Sequence, residues 1–163
     1  MNHWLMALAV VSAAACGGAS SGNKGLVDEL RAYNEGIRWQ DYASSALRIP
    51  VAEREAFLDE HEVLADDLKI SHYEVLRVRF RSQQTRARVD VKFTWFADSE
   101  GIVHRTVTRQ EWVREGKVWL LADEVRLRGE PMPGVAEAPE ILEGDDAADS
   151  EAATEPPDRE SGE

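Results

Sequence analysis

The sequence predicts an α+β domain whose N-terminal helices pack on a curved, mainly four-stranded antiparallel sheet. Apolar residues recur at helical spacing from residue 26 to about residue 67. From about residue 68 to residue 127 they alternate with charged residues, and short turn sequences separate the alternating segments. Short turns require successive strands to pair antiparallel, and helices followed by such strands define the α+β class.

The helical part begins with an amphipathic stretch. Its apolar face is formed by Leu26, Leu30, Tyr33 and Ile37. The apolar phase shifts after Gly36, which predicts a kink or a second short helix. Pro50 then precedes a further helix over 51–65, because proline suits a first helical turn. We expect the buried face of that helix to consist of Ala56, Phe57, His61 and Leu64.

Four strands are expected in the second part. In the first, Leu76, Val78 and Phe80 alternate with arginines, which predicts a half-buried strand. The second alternates in the same way over 88–95. A turn at 97–101 leads to a third strand over 102–114, and Glu115-Gly116 predicts a hairpin turn before a fourth strand over 117–127. We expect Trp39, Trp95, Trp112 and Trp119 to be core residues.

The N-terminus predicts export. An apolar run of 12 residues, 4–15, is too short to span a bilayer and ends in small residues, as secretory signals do. The sequence Ala13-Ala14-Ala15-Cys16 resembles the lipobox of bacterial lipoproteins. That resemblance implies cleavage after Ala15 and attachment of lipid, including palmitate, to Cys16. Cys16 is the only cysteine, so lipidation would also remove an unpaired thiol from an oxidising compartment.

The resemblance implies a location in the cell envelope, on the periplasmic side of a membrane. Gly17 is not the aspartate that retains lipoproteins in the inner membrane of enteric bacteria, so the outer membrane is favoured. Cleavage by the ordinary signal peptidase, which would release a soluble protein, is the alternative. We expect a flexible tether over 16–25, and a membrane partner through the lipid.

The negative charge is concentrated at the C-terminus. The chain of 163 residues has a net charge of −12, and residues 131–163 hold 11 acidic residues and one basic residue. This segment is rich in Pro, Ala, Glu and Asp, which predicts a disordered acidic tail beyond a domain at 26–130. No basic excess is available to offset phosphate repulsion, so nucleic-acid binding is not expected.

The domain resembles the nuclear transport factor 2-like, or SnoaL-like, cone fold. The segments that carry the resemblance are 33–42, 70–76 and the tryptophan-rich hairpin 111–121. It looks like the small lipoproteins of this superfamily in Gram-negative bacteria. A plain α+β sandwich is the alternative. The fold serves isomerases, dehydratases and non-enzymatic binding modules, so it does not by itself assign a function.

Candidate catalytic chemistry in such a cone needs a carboxylate base and an oxyanion donor. Asp41 could be the base, with Tyr33, Tyr42 or Tyr73 as the donor, although all four also suit ordinary structural roles. His61, His72 and His104 lack the spacing of a zinc site, so no metal or other cofactor is expected.

The outward positions of the first two strands predict a basic surface, which would suit an acidic partner, anionic lipid or the acidic tail. Its residues are Arg77, Arg79, Arg81, Arg88 and Lys92. We therefore expect a non-catalytic module that binds a protein or a small molecule, and that could form a homodimer through its sheet. The alternative is an isomerase- or dehydratase-like enzyme that uses the cone interior.

Overall fold

A computed structural model describes the backbone of residues 21–139 and the side chains of residues 25–139. The helices are α1 (Ser21–Trp39), α2 (Tyr42–Ala46) and α3 (Arg54–Leu64), and a 3-10 turn (Val51–Glu53) precedes α3. The strands are β1 (Leu68–Arg81), β2 (Arg86–Ala97), β3 (Val103–Glu115), β4 (Val118–Gly129) and β5 (Ala136–Glu137). The predicted signal peptide, Cys16 and the chain beyond residue 139 lie outside the described residues.

The strands form one open sheet in the order β1-β2-β3-β4-β5. The first four strands pair antiparallel, which confirms the predicted meander. The prediction of four strands missed β5, which pairs parallel to β4 through Val125 and Ala136. The sheet is therefore mixed, because the chain crosses back after β4 before it adds this short strand.

The core lies between α1 and the inner face of the sheet. Leu26, Leu30, Tyr33 and Ile37 are all buried, as the helical spacing predicts. They face the inward side chains of β2 and the rings of Trp112 and Trp119, which are fully buried. Burial of this apolar surface is the main favourable contribution to folding.

Gly36 allows α1 and α2 to approach closely, and α1 continues past it to Trp39. A Cβ atom at this position would lie 2.1 Å from Ser45 Oγ and 2.9 Å from the Asp41 carbonyl oxygen. The second short helix is therefore confirmed: α1 ends three residues after Gly36, and α2 begins at Tyr42. Trp39, the last residue of α1, is 69% exposed, so the prediction that it is a core residue is wrong.

Helix α3 covers the core only partially. Phe57, Leu58 and Leu64 are half-buried against the core cluster, whereas no residue of α3 is fully buried. Ala56 is exposed, which contradicts its predicted place on the buried face, and His61 is half-buried.

The second half of β1 is less covered than its alternation predicts. Val78 and Phe80 lie opposite the inward residues Val89 and Ala87 of β2, and Leu76 lies at a register shift. Leu76 is 40% exposed and Val78 is 37% exposed. Because β1 is an edge strand beyond the cover of α1, inward orientation does not bury these side chains.

The ends of the domain differ from the predicted boundaries. Residues 21–25, which fall in the predicted tether, belong to helix α1, so the helix extends to the N-terminal side of the predicted start at residue 26. Residues 131–139 were assigned to the disordered tail, yet Met132 is buried in the core and 136–137 form β5. This stretch is mostly polar, but its apolar residues Met132 and Val135 pack against the core.

Candidate functional site

The inner face of β3 is polar where that of β2 is apolar. Thr106, Thr108 and Gln110 point inward from β3, and all three are fully buried. Polar groups in such a place need hydrogen-bond partners, because an unsatisfied buried group costs about 1–3 kcal/mol. Thr106 is satisfied by Trp95 of β2 and the Glu130 carbonyl oxygen, whereas Thr108 and Gln110 find partners on α1 and β4 and form the candidate site with them.

Glu124 is at the centre of the site. This half-buried carboxylate on β4 accepts a hydrogen bond at Oε2 from the Tyr33 hydroxyl, at 3.0 Å. At Oε1 it accepts one from Thr108 Oγ1, at 2.7 Å, and one from Gln110 Nε2, at 3.0 Å. Three donors from α1 and β3 therefore fix the orientation of the carboxylate.

Gln110 connects Glu124 to α1 and to the deeper core. Its Nε2 also donates to Asn34 Oδ1, at 3.0 Å, while Asn34 Nδ2 donates to the Leu30 carbonyl oxygen, at 2.8 Å. Its Oε1 accepts a hydrogen bond from Trp112 Nε1, at 3.2 Å. Gln110 thus ties the carboxylate to a buried tryptophan and to the backbone of α1.

The environment of Glu124 changes its acidity. Burial raises the pKa of Glu124 above its ordinary value of 4.5, and the charge of Asp123 adds to this. The hydrogen bonds from Gln110, Thr108 and Tyr33 act in the opposite direction, because they stabilise the charged form. Burial, and then the charge of Glu124, raise the pKa of Tyr33 well above its ordinary value, so Tyr33 stays a hydrogen-bond donor at neutral pH.

His61 of α3 contributes a neutral imidazole to the same region. Its Nδ1 lies 2.9 Å from the Phe57 carbonyl oxygen. A carbonyl oxygen only accepts, so Nδ1 carries the hydrogen and Nε2 of the neutral ring carries the lone pair. Burial lowers the pKa of His61, which favours this neutral form. The ring packs between Phe57 and Tyr42, at centroid distances of 4.0 and 5.2 Å.

Two concave spaces meet at Tyr33, His61 and Glu124. The inner one is a cavity of about 20 Å³, closed by Met132 and Val135, which holds about one water molecule. The outer one is an open cleft of about 330 Å³ between α3 and β4. The cleft is also lined by Glu53, Phe57, Glu60 and Asp123.

The predicted catalytic residues are not brought together. Asp41 is exposed and caps α2 by accepting a hydrogen bond from the Ser44 backbone N–H, at 3.1 Å. Tyr73 donates to Glu35 on the outer part of α1. Tyr33 and Tyr42 do line the inner cavity, but the carboxylate that lines it with them is Glu124 and not Asp41.

The predicted basic surface is partly neutralised. Arg88 Nε lies 2.5 Å from Glu111 Oε1, and Lys92 pairs with Glu74. Arg77 and Arg81 are exposed along β1, and Arg79 is half-buried. The side chains alternate along the strands as predicted, and the ion pairs across strands withdraw at least Arg88 and Lys92 from this surface.

Histidines and acidic residues do not form a metal centre in the part of the chain that the structure describes. His72 and His104 lie on β1 and β3, with β2 between them. Within residues 21–139 no helix has the length and apolar character needed to cross a membrane.

Sequence reasoning missed Glu124 and Gln110. A signal was present, because the inward positions of β3 are polar from Thr106 to Gln110, an interruption of the apolar pattern. Glu124 had no comparable signal, because the register shifts between β3 and β4 leave Ala122 and Leu127 of β4 without a partner on β3, and strict alternation therefore cannot assign the inward residues of β4.

Comparisons with known proteins show the fold. No family model and no curated protein matches this sequence. The chain is similar to a hexachlorocyclohexane dehydrochlorinase, LinA type 2, with 18% identity and a TM-score of 0.51, over 74% of this chain and 95% of that one. It is similar to LinA-type3 from Novosphingobium barchaimii LL02, with 16% identity and a TM-score of 0.51, over 72% and 94%.

A third similar structure is a SEC-C motif containing protein from Rhodopseudomonas palustris. Its identity is 12% and its TM-score 0.51, over 69% of this chain and 89% of that one. The dehydrochlorinases have the nuclear transport factor 2-like cone, so the domain described here has that fold. At such identities the likeness shows the fold alone.

Proposed function

We propose that this chain is a lipid-anchored protein of the bacterial cell envelope whose cone domain binds a small organic cation without catalysis. The anchor is the lipid on Cys16 implied by the lipobox-like sequence, on the periplasmic side and favouring the outer membrane. The ligand occupies the cleft between α3 and β4, with Glu124 at its base.

The observation that carries this proposal is that side chains fill most of the interior of the cone. Trp112 and Trp119 are fully buried inside the cone, and the remaining inner cavity has room for about one water molecule. An interior of this size excludes an organic substrate. The open cleft of about 330 Å³ reaches the lower size range of ligand sites and keeps Glu124 accessible from outside.

The lining of the cleft supports a ligand that joins a positive charge to an apolar group. Four carboxylate side chains line it, from Glu53, Glu60, Asp123 and Glu124, and no lysine or arginine does. Tyr33 and Phe57 add aromatic surface to the same walls, and aromatic faces attract cations. An aromatic or alkyl amine combines both features.

A pair of matched probes tests the proposal. Benzylamine, which is protonated at neutral pH, and benzyl alcohol, which is neutral, are titrated into the protein by NMR. We expect benzylamine to bind more tightly. Glu124→Gln should weaken its binding about tenfold or more, because an interaction with a charged group contributes about 1.5–3 kcal/mol.

Two further variants separate the cleft from general charge effects. Glu60→Gln alters the cleft from the exposed side of α3 without disturbing the core and should also weaken binding. Glu115→Gln, at the exposed end of β3, changes the net charge equally and should have no effect. Equal affinity for the amine and the alcohol would contradict the proposal.

The anchor has its own test. Cys16→Ser should move the protein from the membrane fraction to the soluble fraction and abolish labelling by palmitate, because no other cysteine can receive the lipid. Labelling that persists in this variant would exclude Cys16 as the acylated residue.

A second candidate function is an eliminating or isomerising enzyme of the isomerase and dehydratase type. The observation that favours it is the neutral ring of His61, which has a lone pair on Nε2. This ring lines both the cavity and the cleft, together with Tyr33 and Glu124. Such a nitrogen could take a proton from carbon while the electron pair forms a double bond and the leaving group departs. Two of the similar structures are dehydrochlorinases.

Hexachlorocyclohexane distinguishes this candidate from simple binding. An enzyme of that specificity would release chloride from it, and His61→Gln would abolish the release. The binding proposal expects no chloride above the rate measured without protein. Release by the unmodified chain that His61→Gln removes would favour the second candidate over the first.

A further inference from the structure

The hairpin formed by the end of β1 and the start of β2 has a one-sided charge. Residues 77–88 contain five arginines and no acidic residue, and we name them the arginine hairpin. Arg77, Arg81 and Arg86 are exposed and Arg79 is half-buried, and Arg81 lies opposite Arg86 in the sheet register. The fifth, Arg88, pairs with Glu111. The chain as a whole has a net charge of −12, so this positive region is a local exception.

The arginine hairpin lies at the end of the domain where α1 begins. The backbone N–H of Arg114, near the end of β3, donates to the Thr85 carbonyl oxygen in the turn of the hairpin, at 2.8 Å. The strand β4 starts beside that point, and Gly25 of α1 packs against the ring of its second residue, Trp119. One end of the molecule therefore holds both the positive hairpin and the first turns of α1.

The start of α1 limits how far this end can be from the predicted lipid. Ser21 belongs to α1, and five residue steps separate it from Cys16. A fully extended chain spans about 3.3–3.6 Å per residue, so Ser21 lies within about 18 Å of the residue predicted to carry the lipid. The predicted tether to residue 25 would have allowed more distance and a freer orientation.

We propose that the arginine hairpin binds anionic lipid headgroups and so holds the domain in one orientation on the membrane. This inference deepens the proposed function, since the nearness of the hairpin to the membrane depends on the lipid at Cys16. Guanidinium groups donate paired hydrogen bonds to phosphate oxygens, and arginines near an anionic surface each add to the attraction.

An exposed apolar side chain lies at the same end of the domain. Val118, at the start of β4, is 46% exposed and alternates with the inward Trp119, so it lies on the outward face of the sheet, as Arg77 and Arg81 do.

The acidic C-terminal segment is the competing occupant. The chain leads into this segment at the opposite edge of the sheet from β1. There the Ala138 N–H donates to the carbonyl oxygen of Arg126, a residue of β4. Strands β2 and β3 separate that strand from β1. The arginine hairpin is instead close to the membrane-proximal end of the chain, which favours lipid over the segment 140–163.

Vesicle binding of the full chain with Cys16→Ser tests the inference without the anchor. The vesicles consist of phosphatidylcholine alone, or of equal parts phosphatidylcholine and phosphatidylglycerol. We expect binding only to the anionic vesicles, and we expect it to weaken as salt is added. Each arginine removed should lower the partition coefficient about fivefold, so Arg77→Gln with Arg81→Gln should lower it about 25-fold.

The matched control is the pair Arg105→Gln with Arg128→Gln. It removes the same charge from exposed positions at the other end of β3 and β4, and it should leave vesicle binding unchanged. An equal loss in both double variants would overturn the inference, because binding would then follow net charge and not the hairpin.

Absence of binding to the anionic vesicles would also overturn it. If deletion of residues 140–163 then produced binding that Arg77→Gln with Arg81→Gln removes, the acidic segment would be the occupant instead. These results are independent of the benzylamine titration and of palmitate labelling, so a failure here is distinguishable from a failure of the proposed function.

Discussion

The inner faces of β2 and β3 are neighbours in one sheet, yet they differ in chemistry. On β2 the inward residues are Ala87, Val89, Val91, Phe93 and Trp95, all buried and all apolar. On β3 the inward residues Thr106, Thr108 and Gln110 are equally buried and polar. The first set can only pack. The second set has to be satisfied by hydrogen bonds: Thr106 accepts one from Trp95, Thr108 donates one to Glu124, and Gln110 donates one to Asn34.

This difference separates what holds the fold from what forms the candidate site. Apolar burial is favourable wherever the shapes fit, whereas a buried polar network offers little net stability and a defined geometry. The β3 face is therefore a costly way to build a core. Its hydrogen bonds fix a carboxylate at the boundary between the cavity and the cleft, which is what a binding site requires.

The largest effect is expected on the β2 face. Phe93→Ala should lower the free energy of unfolding by about 3–5 kcal/mol, because it removes a fully buried ring and leaves a void. Chemical denaturation measures this. The outward neighbour Thr94→Ala serves as the control and should change stability far less. A cost below about 1 kcal/mol for Phe93→Ala would mean that the β2 face is not the stabilising one.

An intermediate effect is expected on the β3 face. Gln110→Ala removes a partner from Asn34, Trp112 and Glu124, so it should cost about 1–3 kcal/mol. It should also weaken benzylamine binding, because Glu124 loses one of the donors that orient it. A cost equal to that of Phe93→Ala would remove the distinction between the two faces. If Gln110→Ala lowers the stability but leaves benzylamine binding unchanged, Gln110 does not contribute to the binding site.

The smallest effect concerns the charge of Glu124. Its pKa is raised in the folded protein, so the folded state holds this proton more tightly than the unfolded chain does. The resulting stability is fully present below the ordinary value of 4.5 and is lost as pH rises through the raised pKa.

Glu124→Gln should remove this part of the pH dependence. The variant should be more stable than the original protein at neutral pH, because it lacks the carboxylate charge that burial disfavours. Denaturation curves over about pH 4–8 compare the two slopes. If the slopes are the same, Glu124 has the same acidity in the folded and unfolded states. His61→Gln serves as a control of opposite sign, because the lowered pKa of His61 costs stability as pH falls below 6.5.

Local patterns predicted those parts of the fold that a single element can specify. The spacing of Leu26, Leu30, Tyr33 and Ile37 predicted the buried face of α1, and the alternation in β2 predicted its inward residues. The predictions that failed depended on neighbouring elements. Trp39 is hydrophobic but extends past the sheet, and Val78 points inward where no helix covers it.

The candidate site was predictable only in part. Tyr33 was identified as a hydrogen-bond donor, but its partner was expected to be Asp41, eight residues away in sequence. The actual partner is Glu124, 91 residues away. The distance between Tyr33 and Glu124 depends on the packing of α1 on the sheet, and the two register shifts between β3 and β4 decide which residues of β4 point inward.

By itself the sequence determined the α+β class, the meander of four strands, the faces of α1 and β2, and the concentration of acidic residues after residue 131. These features follow from side-chain periodicity and composition, which act within one element. Only the tertiary structure decided that Glu124 is the central carboxylate, that Trp112 and Trp119 fill the interior, and that the arginine hairpin lies beside the start of α1. These features need contacts between residues far apart in the chain, and such contacts form only when the elements pack.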